Sequence, residues 1–151
     1  MHKFLYLLLA SFVTLSLGCG GGGDSISSDA NRFIGDWSGS WVQTSRDDGQ
    51  PLSTKVLAMH IEYAGKQTIG TTKVEYISVS LYLDGMLALT GSTQALPGGT
   101  WILNLTQSDL DFKMLGQFIG NTASGTFETD VLNPDPPNNW VHIVGTWTAN
   151  R

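Results

Sequence analysis

The chain has 151 residues, a formal net charge of −5 at pH 7 and a sequence pI of about 4.9. Its 8 Lys and Arg residues form no cluster to offset 13 Asp and Glu, so the composition argues against a nucleic-acid partner. Eighteen glycines, 10% aromatic residues and only 14% charged residues favour a folded chain of strands and tight turns.

The N-terminus carries an apolar run from Phe4 to Leu17, preceded by Lys3. The run is shorter than the ~20 residues that a helix needs to span a membrane. A positive residue followed by a short apolar run is typical of an export signal. We therefore predict that residues 1–18 are a signal peptide.

The apolar run ends in Leu15-Ser16-Leu17-Gly18-Cys19, which resembles the lipobox of bacterial lipoprotein precursors. This resemblance implies cleavage before Cys19, lipidation of Cys19 and a lipid anchor in a membrane of the bacterial envelope. Gly18 and Cys19 match the family pattern, whereas Ser16 stands where the family prefers Leu. The alternative is an ordinary secretory signal that is cut elsewhere. In the same family an Asp after the cysteine favours the inner membrane, so Gly20 favours the outer one.

Cys19 is the only cysteine of the chain, so the resemblance leaves the mature protein without a disulfide. The lipidated Cys19 and the Gly/Ser-rich residues after it, 19–31, are predicted to form a flexible tether. Residues 32–151 are predicted to form a single β domain, in the periplasm or at the cell surface.

Apolar residues recur with a period of two over residues 57–63 and 77–83, which predicts half-buried strands. Asp84-Gly85 is a strong signal for a two-residue hairpin turn. The loop 133–139, with three prolines, fits neither helix nor strand. Across residues 32–151 the pattern predicts an all-β fold of about eight antiparallel strands. It leaves open a small up-and-down barrel or a two-sheet sandwich.

Residues 108–116 allow two interpretations. Ser108 with Asp111, and Leu110 with Met114, have helical spacing. A tight turn at residues 108–109 would instead pair two strands with all large apolar residues on one face. That register sets Trp101 opposite Gly116, Leu103 opposite Met114 and Leu105 opposite Phe112. We favour the strand.

Gly35 and Trp37 open the first strand, and a second Gly-x-Trp at 145–147 precedes the terminal Arg151. These residues resemble the calycin superfamily, which includes lipocalins and avidins. The resemblance implies a small barrel in which a basic residue, here Arg151, packs over Trp37. It also implies a cup for a small apolar ligand.

Candidates for chemistry are few. His60 and His142, with Glu62, have a permissive but unspecific spacing for a metal site, and we expect both to face solvent. The acidic pairs and loops at 47–48, 109–111 and 130–135 lack the spacing of a calcium loop. Residues 35–39 lack the G-x-S-x-G spacing of a nucleophile elbow. We predict no catalytic residue, no metal and no cofactor.

The aromatic residues allow a filled interior or a ligand cup. A filled interior is favoured, made by Trp37, Trp41, Trp101, Leu103, Met114, Phe127 and Trp147. Binding would then use the outside, where Trp140 at the end of the loop 133–140 is the candidate. The candidate contacts for a ligand or partner are therefore Trp37, Trp41 and Trp140.

The resulting hypothesis is an envelope lipoprotein with a non-catalytic β domain in a binding or structural role. Its partners would be the membrane, through the lipid on Cys19, and a protein or a small apolar ligand. The first alternative is a calycin-like carrier of a small hydrophobic ligand, and the second is an envelope hydrolase.

Overall fold

The computed structural model describes residues 25–106, 109–133 and 139–151. The predicted signal peptide, Cys19, Gly20 and residues 134–138 of the proline loop lie outside the described residues. The described chain forms one nearly closed, barrel-shaped sheet of eight antiparallel strands, so the prediction of an all-β fold is confirmed. The strands are β1 (Gly35–Arg46), β2 (Thr54–Ile69), β3 (Thr72–Leu83), β4 (Met86–Gln94), β5 (Thr100–Thr106), β6 (Leu110–Ile119), β7 (Thr122–Leu132) and β8 (Trp140–Asn150).

The sheet order is β4-β3-β2-β1-β8-β7-β6-β5. Each strand pairs with its neighbour in the chain, except that β1 pairs with β8 and the described parts of β4 and β5 form no backbone ladder. A single sheet curled on itself is a barrel, so the sandwich is not the fold. The seam between β4 and β5 leaves the barrel incompletely closed.

The hairpins follow the sequence pattern closely. β5 and β6 pair with Trp101 opposite Gly116 and Leu103 opposite Met114, which is the predicted register. Residues 110–119 are therefore strand and not helix. At the β3–β4 turn, Asp84 and Gly85 have φ of 53° and 78°, as a two-residue turn matched to strand twist requires.

The two ends of the barrel differ. At the closed end, β1, β3, β5 and β7 begin, and two short elements cover the barrel: the helix α1 (Ser28–Phe33) and a 3₁₀ turn, Pro97–Gly99. At the open end these strands finish, and the β1–β2 loop and the β3–β4 hairpin connect strands there. No described helix or 3₁₀ turn lies at the open end.

The helix α1 takes up residues 28–31, which the sequence pattern assigned to the tether. Ser27 caps it by accepting a hydrogen bond from Ala30 N at 3.2 Å. The Ser27 hydroxyl and backbone N–H both donate to the carboxylate of Glu75 on β3. Phe33 is buried, so α1 packs into the barrel and ordered structure begins before residue 32. Within the described residues, no helix has the length and apolar character needed to cross a membrane.

An aromatic cluster fills the closed end. The ring of Phe118 lies 5.0 Å from Phe33, 4.8 Å from Trp37, 5.3 Å from Trp101 and 5.9 Å from Trp147, in edge-on or tilted contacts. Such pairs add about 0.5–1.5 kcal/mol each beyond the burial of area. All five side chains are at most 1% exposed. This end of the interior is solid.

Arg151 seals the closed end from outside. Its guanidinium lies 4.9 Å from the ring centroid of Trp37, and Nη1 donates to the carbonyl of Ile34 at 2.8 Å. Trp37 Nε1 donates to the carbonyl of Phe33 at 2.8 Å. The packing of a basic residue over the first tryptophan, which the calycin resemblance implied, is therefore present.

Candidate functional site

The interior contains an apolar cavity at the open end, which we call the cup. Its volume is about 180 Å³. Inward-facing and outward-facing side chains continue to alternate along the strands that line the cup. The cup is therefore the unfilled part of the same interior that is solid at the closed end. Its main apolar lining residues are Trp41, Leu81, Leu89, Phe112, Phe127 and Ile143.

Stacked aromatic rings line one side of the cup. The rings of Trp41 and Phe127 have centroids 3.5 Å apart at an interplanar angle of 18°, and Phe112 stacks on Trp41 at 6.0 Å. Trp41 and Phe127 are 4% and 2% exposed, so their rings are fixed before any ligand arrives. A preformed aromatic wall lowers the ordering cost of binding a ring-shaped group.

A few polar groups enter this apolar surface. Thr129 lines the cup, and its hydroxyl is buried and has no hydrogen-bond partner within the described protein. Gln43 and Lys55 also line the cavity, and Lys55 Nζ lies 3.0 Å from Asp84 Oδ2. Because a buried polar group without a partner is costly, the Thr129 hydroxyl marks a place for a hydrogen-bonding group.

Exposed apolar side chains are more frequent at the open end of the barrel than at the closed end. Of the nine large apolar side chains that are exposed in the described chain, six lie at the open end. They are Leu52, Val56, Met86, Leu87, Val131 and Trp140. Single exposed apolar residues are ordinary, but several of them at the end of the barrel that also holds an apolar cavity favour a binding surface there.

Charge is divided unequally between the two halves of the barrel. In the described chain, the half near the closed end has four carboxylates and four cations. The half near the open end has seven carboxylates and three cations. The seven are Asp47, Asp48, Asp84, Asp109, Asp111, Glu128 and Asp130, and the three cations are Arg46, Lys55 and Lys113. The net negative charge of the described domain therefore lies in the half of the barrel that contains the cup.

The three tryptophans predicted to contact a ligand have different positions. Trp37 belongs to the closed-end cluster and is 1% exposed, so it contacts no ligand in this conformation. Trp41, four residues later on β1, lines the cup. Trp140 begins β8, pairs with Leu132 and is 49% exposed at the open end. Trp41 and Trp140 are thus brought to one end of the barrel.

The two histidines lie near opposite ends of β1 and do not meet. His60 Nδ1 lies 2.6 Å from Asp36, and His60 Nε2 lies 3.0 Å from Glu62. Hydrogen bonds to Asp36 and then Glu62 raise the pKa of His60 above its ordinary value. His142 Nδ1 lies 2.7 Å from Asp130, and that hydrogen bond raises the pKa of His142.

Two carboxylates of the acidic loops already accept hydrogen bonds from groups within the protein. Arg46 donates two hydrogen bonds to the Asp48 carboxylate, and these lower the pKa of Asp48. Asp47 accepts the backbone N–H of His142 at 2.9 Å. Among the described residues, no group of three or more His, Cys, Asp or Glu is arranged to hold a metal ion.

Larger grooves exist on the outside of the barrel. One of about 420 Å³ runs between α1 and the β2–β3 hairpin, where Glu75 is already bonded to Ser27 and lies 3.6 Å from Lys66. Another of about 300 Å³ crosses the outer face beside Thr44, Lys113 and Thr126. The cup is smaller than both, but it is apolar, it lies in the interior, and one of its lining residues, Thr129, has a buried hydroxyl without a partner. It is therefore the best candidate site.

The filled interior that the sequence favoured is present at the closed end only, whereas the alternative of an unfilled cup describes the open end. The lining residues of the cup come from β1, β2, β3, β4, β6, β7 and β8 and share no motif. The inward alternation of Lys55 with Leu57 and Met59 was a usable signal, because a lysine on an inward face marks the mouth of a barrel. Comparisons of this chain with protein-family models, with curated protein sequences and with solved structures give no match.

Proposed function

We propose that this protein is an envelope lipoprotein whose barrel is a non-catalytic binding domain, and that the cup at the open end is its binding site. The observation that carries the proposal is the combination of an aromatic wall, Trp41 on Phe127, with the unpartnered hydroxyl of Thr129. An apolar body stacked on that wall, with one polar atom beside Thr129, would satisfy both.

The size of the cup selects among ligands. Pockets for drug-sized molecules have volumes of roughly 300–1,000 Å³. An apolar cavity of about 150 Å³ is enough for benzene or xenon. With about 180 Å³, the cup accepts a single ring or a short branched aliphatic group, and not a fatty acid, a haem or a retinoid. This disfavours a calycin-like carrier of a large ligand and favours recognition of one small apolar group.

Two probes test the cup in the mature chain, residues 19–151 with Cys19→Ser. Toluene fits the apolar body alone, whereas p-cresol adds a hydroxyl that can bond Thr129. We expect both to shift the methyl resonances of Leu89 and Ile143, with p-cresol binding more tightly. A hydrogen bond of about 1 kcal/mol corresponds to roughly fivefold in affinity.

Thr129→Val supplies the matched test, because it replaces the unpartnered hydroxyl by a methyl group of the same shape. The affinity for p-cresol should fall to that for toluene, while the affinity for toluene stays the same or rises. Thr126→Val, on the exposed face of the same strand, should change neither. If neither probe shifts any methyl group of the cup in the wild type, the proposed function fails.

The anchor is proposed from the lipobox-like residues before Cys19. A lipidated Cys19 would place the domain in the periplasm or at the cell surface, on the outer membrane rather than the inner one. Cys19→Ser should release the protein from the membrane fraction, because several acyl chains at ~0.8 kcal/mol per buried methylene are lost. Ser16→Leu, which restores the family's preferred residue, should keep it there. A wild-type N-terminal peptide that begins beyond Cys19 and carries no lipid would contradict the anchor.

A further inference from the structure

The outer edge of β4 is an unpaired strand edge beside the cup. β4 and β5 are the two ends of the sheet, with no ladder between them in the described residues. The hydroxyl of Thr93 donates to the carbonyl of Ile102 across the seam, in the half nearer the closed end. Between Met86 and Thr90, nearer the open end, the described chain supplies no strand partner on that side. An exposed edge of this kind can accept another strand.

This part of β4 also forms the wall of the cup. Leu81 pairs with Leu89 and Tyr82 pairs with Leu87, which leaves Ala88 as an extra residue in a bulge. Ala88 and Leu89 both line the cup. A strand added to the edge of β4 would therefore run past the cup, and a side chain on its inward face could enter it.

The surroundings favour a particular composition for such a strand. Met86 and Leu87 are 70% and 55% exposed and flank the edge, so apolar contacts are available outside the cup as well. Seven carboxylates against three cations in this half of the barrel attract positive charge. Lys55, the charged residue that lines the cup, is held by Asp84 at 3.0 Å.

We propose that the open end captures one extended, basic and apolar segment of a partner protein. The segment adds to the β4 edge between Met86 and Thr90, places one apolar side chain in the cup and sets its basic residues beside the surplus carboxylates. The inference rests on the proposed function of the cup as a binding site, and it adds the class of partner. Backbone pairing supplies part of the affinity, and the cup supplies the selectivity.

Other occupants fit the same surface less well. A second copy of this chain would bring its own seven carboxylates against these seven, and like charges that face each other oppose association. An anionic phospholipid surface is repelled for the same reason. The chain also enters the barrel at the closed end, where Ser27 is bonded to Glu75. The described chain therefore begins at the end of the barrel opposite the cup.

The test uses the peptide Lys-Val-Lys-Phe-Lys-Val-Lys and the mature chain with Cys19→Ser in calorimetry at low salt. In an extended peptide the Phe and Val side chains share one face and the Lys side chains share the other. Replacing all Lys by Glu should weaken binding by about tenfold or more. Replacing Phe by Ala should weaken the affinity of the peptide about tenfold. Methylating the backbone nitrogens on either side of Phe should abolish binding, because the peptide loses N–H groups that would donate to the carbonyls of the β4 edge.

Two charge-matched double variants locate the effect. Asp109→Asn with Asp111→Asn removes two exposed carboxylates of the open half, and should weaken the Lys peptide by about threefold to fivefold at low salt and less at high salt. Asp36→Asn with Glu62→Gln removes two exposed carboxylates near the closed end and should leave binding unchanged. Amide shifts should be confined to residues 86–90 and the cup.

The outcomes separate this inference from the proposed function. If p-cresol binds in the cup but no peptide binds, the partner segment is ruled out and the cup stands. Peptide binding that is indifferent to Phe→Ala would mean that the cup is not used. Self-association through the open end in sedimentation would identify a second copy as the occupant. Binding to phosphatidylglycerol vesicles in place of the peptide would identify a membrane.

Discussion

The closed and open ends of the barrel are built from the same strands but are packed differently. On β6, Phe118 lies within 5.9 Å of four aromatic rings at the closed end. Six residues earlier, Phe112 stacks on Trp41 and borders the cup at the open end. One end of the interior is therefore closed by a helix, a cation and an aromatic cluster, while the other is left unfilled. Under the proposed function, stability and binding are therefore separated along the barrel axis.

The pair Phe118→Ala and Phe112→Ala gives the largest expected contrast. Removing a fully packed phenylalanine costs about 3–5 kcal/mol in the free energy of unfolding, and we expect this for Phe118→Ala. Phe112 borders the empty space of the cup, so it has fewer packing contacts to lose. Its truncation should therefore cost at least about 1 kcal/mol less than that of Phe118. Urea unfolding of both variants measures the difference. Equal costs would show that the two ends are packed alike.

Gly116→Val tests the closed-end packing through a glycine. A Cβ at Gly116 would overlap Trp147 Cζ2 and lie 2.7 Å from the carbonyl oxygen of Ser124. Overpacking of this kind costs about 1–3 kcal/mol. Thr126→Val, on the exposed face of β7, is the control and should stay within about 0.5 kcal/mol of wild type. A neutral Gly116→Val would mean that the cluster is loose enough to move.

Arg151→Ala removes the cation over Trp37 and the hydrogen bond to Ile34. We expect a loss of about 1 kcal/mol, since a cation–π contact and a hydrogen bond at exposed sites are each worth this order. The Trp37 amide should also exchange faster. Arg46→Ala, which breaks a surface pair with Asp48 at the open end, should not affect exchange at Trp37. Faster exchange at Trp37 in Arg46→Ala would show that the two ends of the barrel are energetically coupled.

The smallest effect concerns the attachment of α1 to β3. The hydrogen bond from the Ser27 hydroxyl, with the nearby Lys66, lowers the pKa of Glu75 below its ordinary value. A lowered carboxyl pKa means that the contact stabilises the fold above the ordinary pKa and is lost as the pH falls through the folded pKa. Amide exchange in α1 should therefore quicken in acid before the barrel unfolds. Glu75→Gln should quicken it at neutral pH and remove the acid step, whereas Glu62→Gln should not.

Much of the fold could be predicted because it depends on local patterns. Asp84-Gly85 fixes a hairpin, and the apolar alternation of β5 and β6 fixes the register that sets Trp101 opposite Gly116. The packing of Arg151 over Trp37 was predicted from a resemblance and not from a local pattern, and the structure has the guanidinium over the ring. The helix α1 was missed because Ser, Asp and Asn dominate residues 27–31. Their helical state depends on Ser27 as a cap and on the burial of Phe33.

The position of the cup along the barrel could not be predicted because it depends on the relative heights of seven strands. Trp37 and Trp41 lie on the same face of β1 and have similar neighbours in the sequence. Trp37 nevertheless joins the closed-end cluster, whereas Trp41 lines the cup. Which of two inward tryptophans meets empty space depends on what the opposing strands place at the same height. Side-chain size along one strand carries no information about that.

Methyl NMR of the mature chain under xenon pressure tests the separation of the two ends most directly. Xenon enters preformed apolar cavities of this size without needing a hydrogen bond. We expect saturable shifts at the methyl groups of Leu81, Leu89 and Ile143, which line the cup. The methyl groups of Leu57, Ile61 and Ile77, buried in the core but not lining the cup, should not respond. Shifts at Ile61 and Ile77, or no shift at the cup, would contradict a barrel that is solid at one end and open for binding at the other.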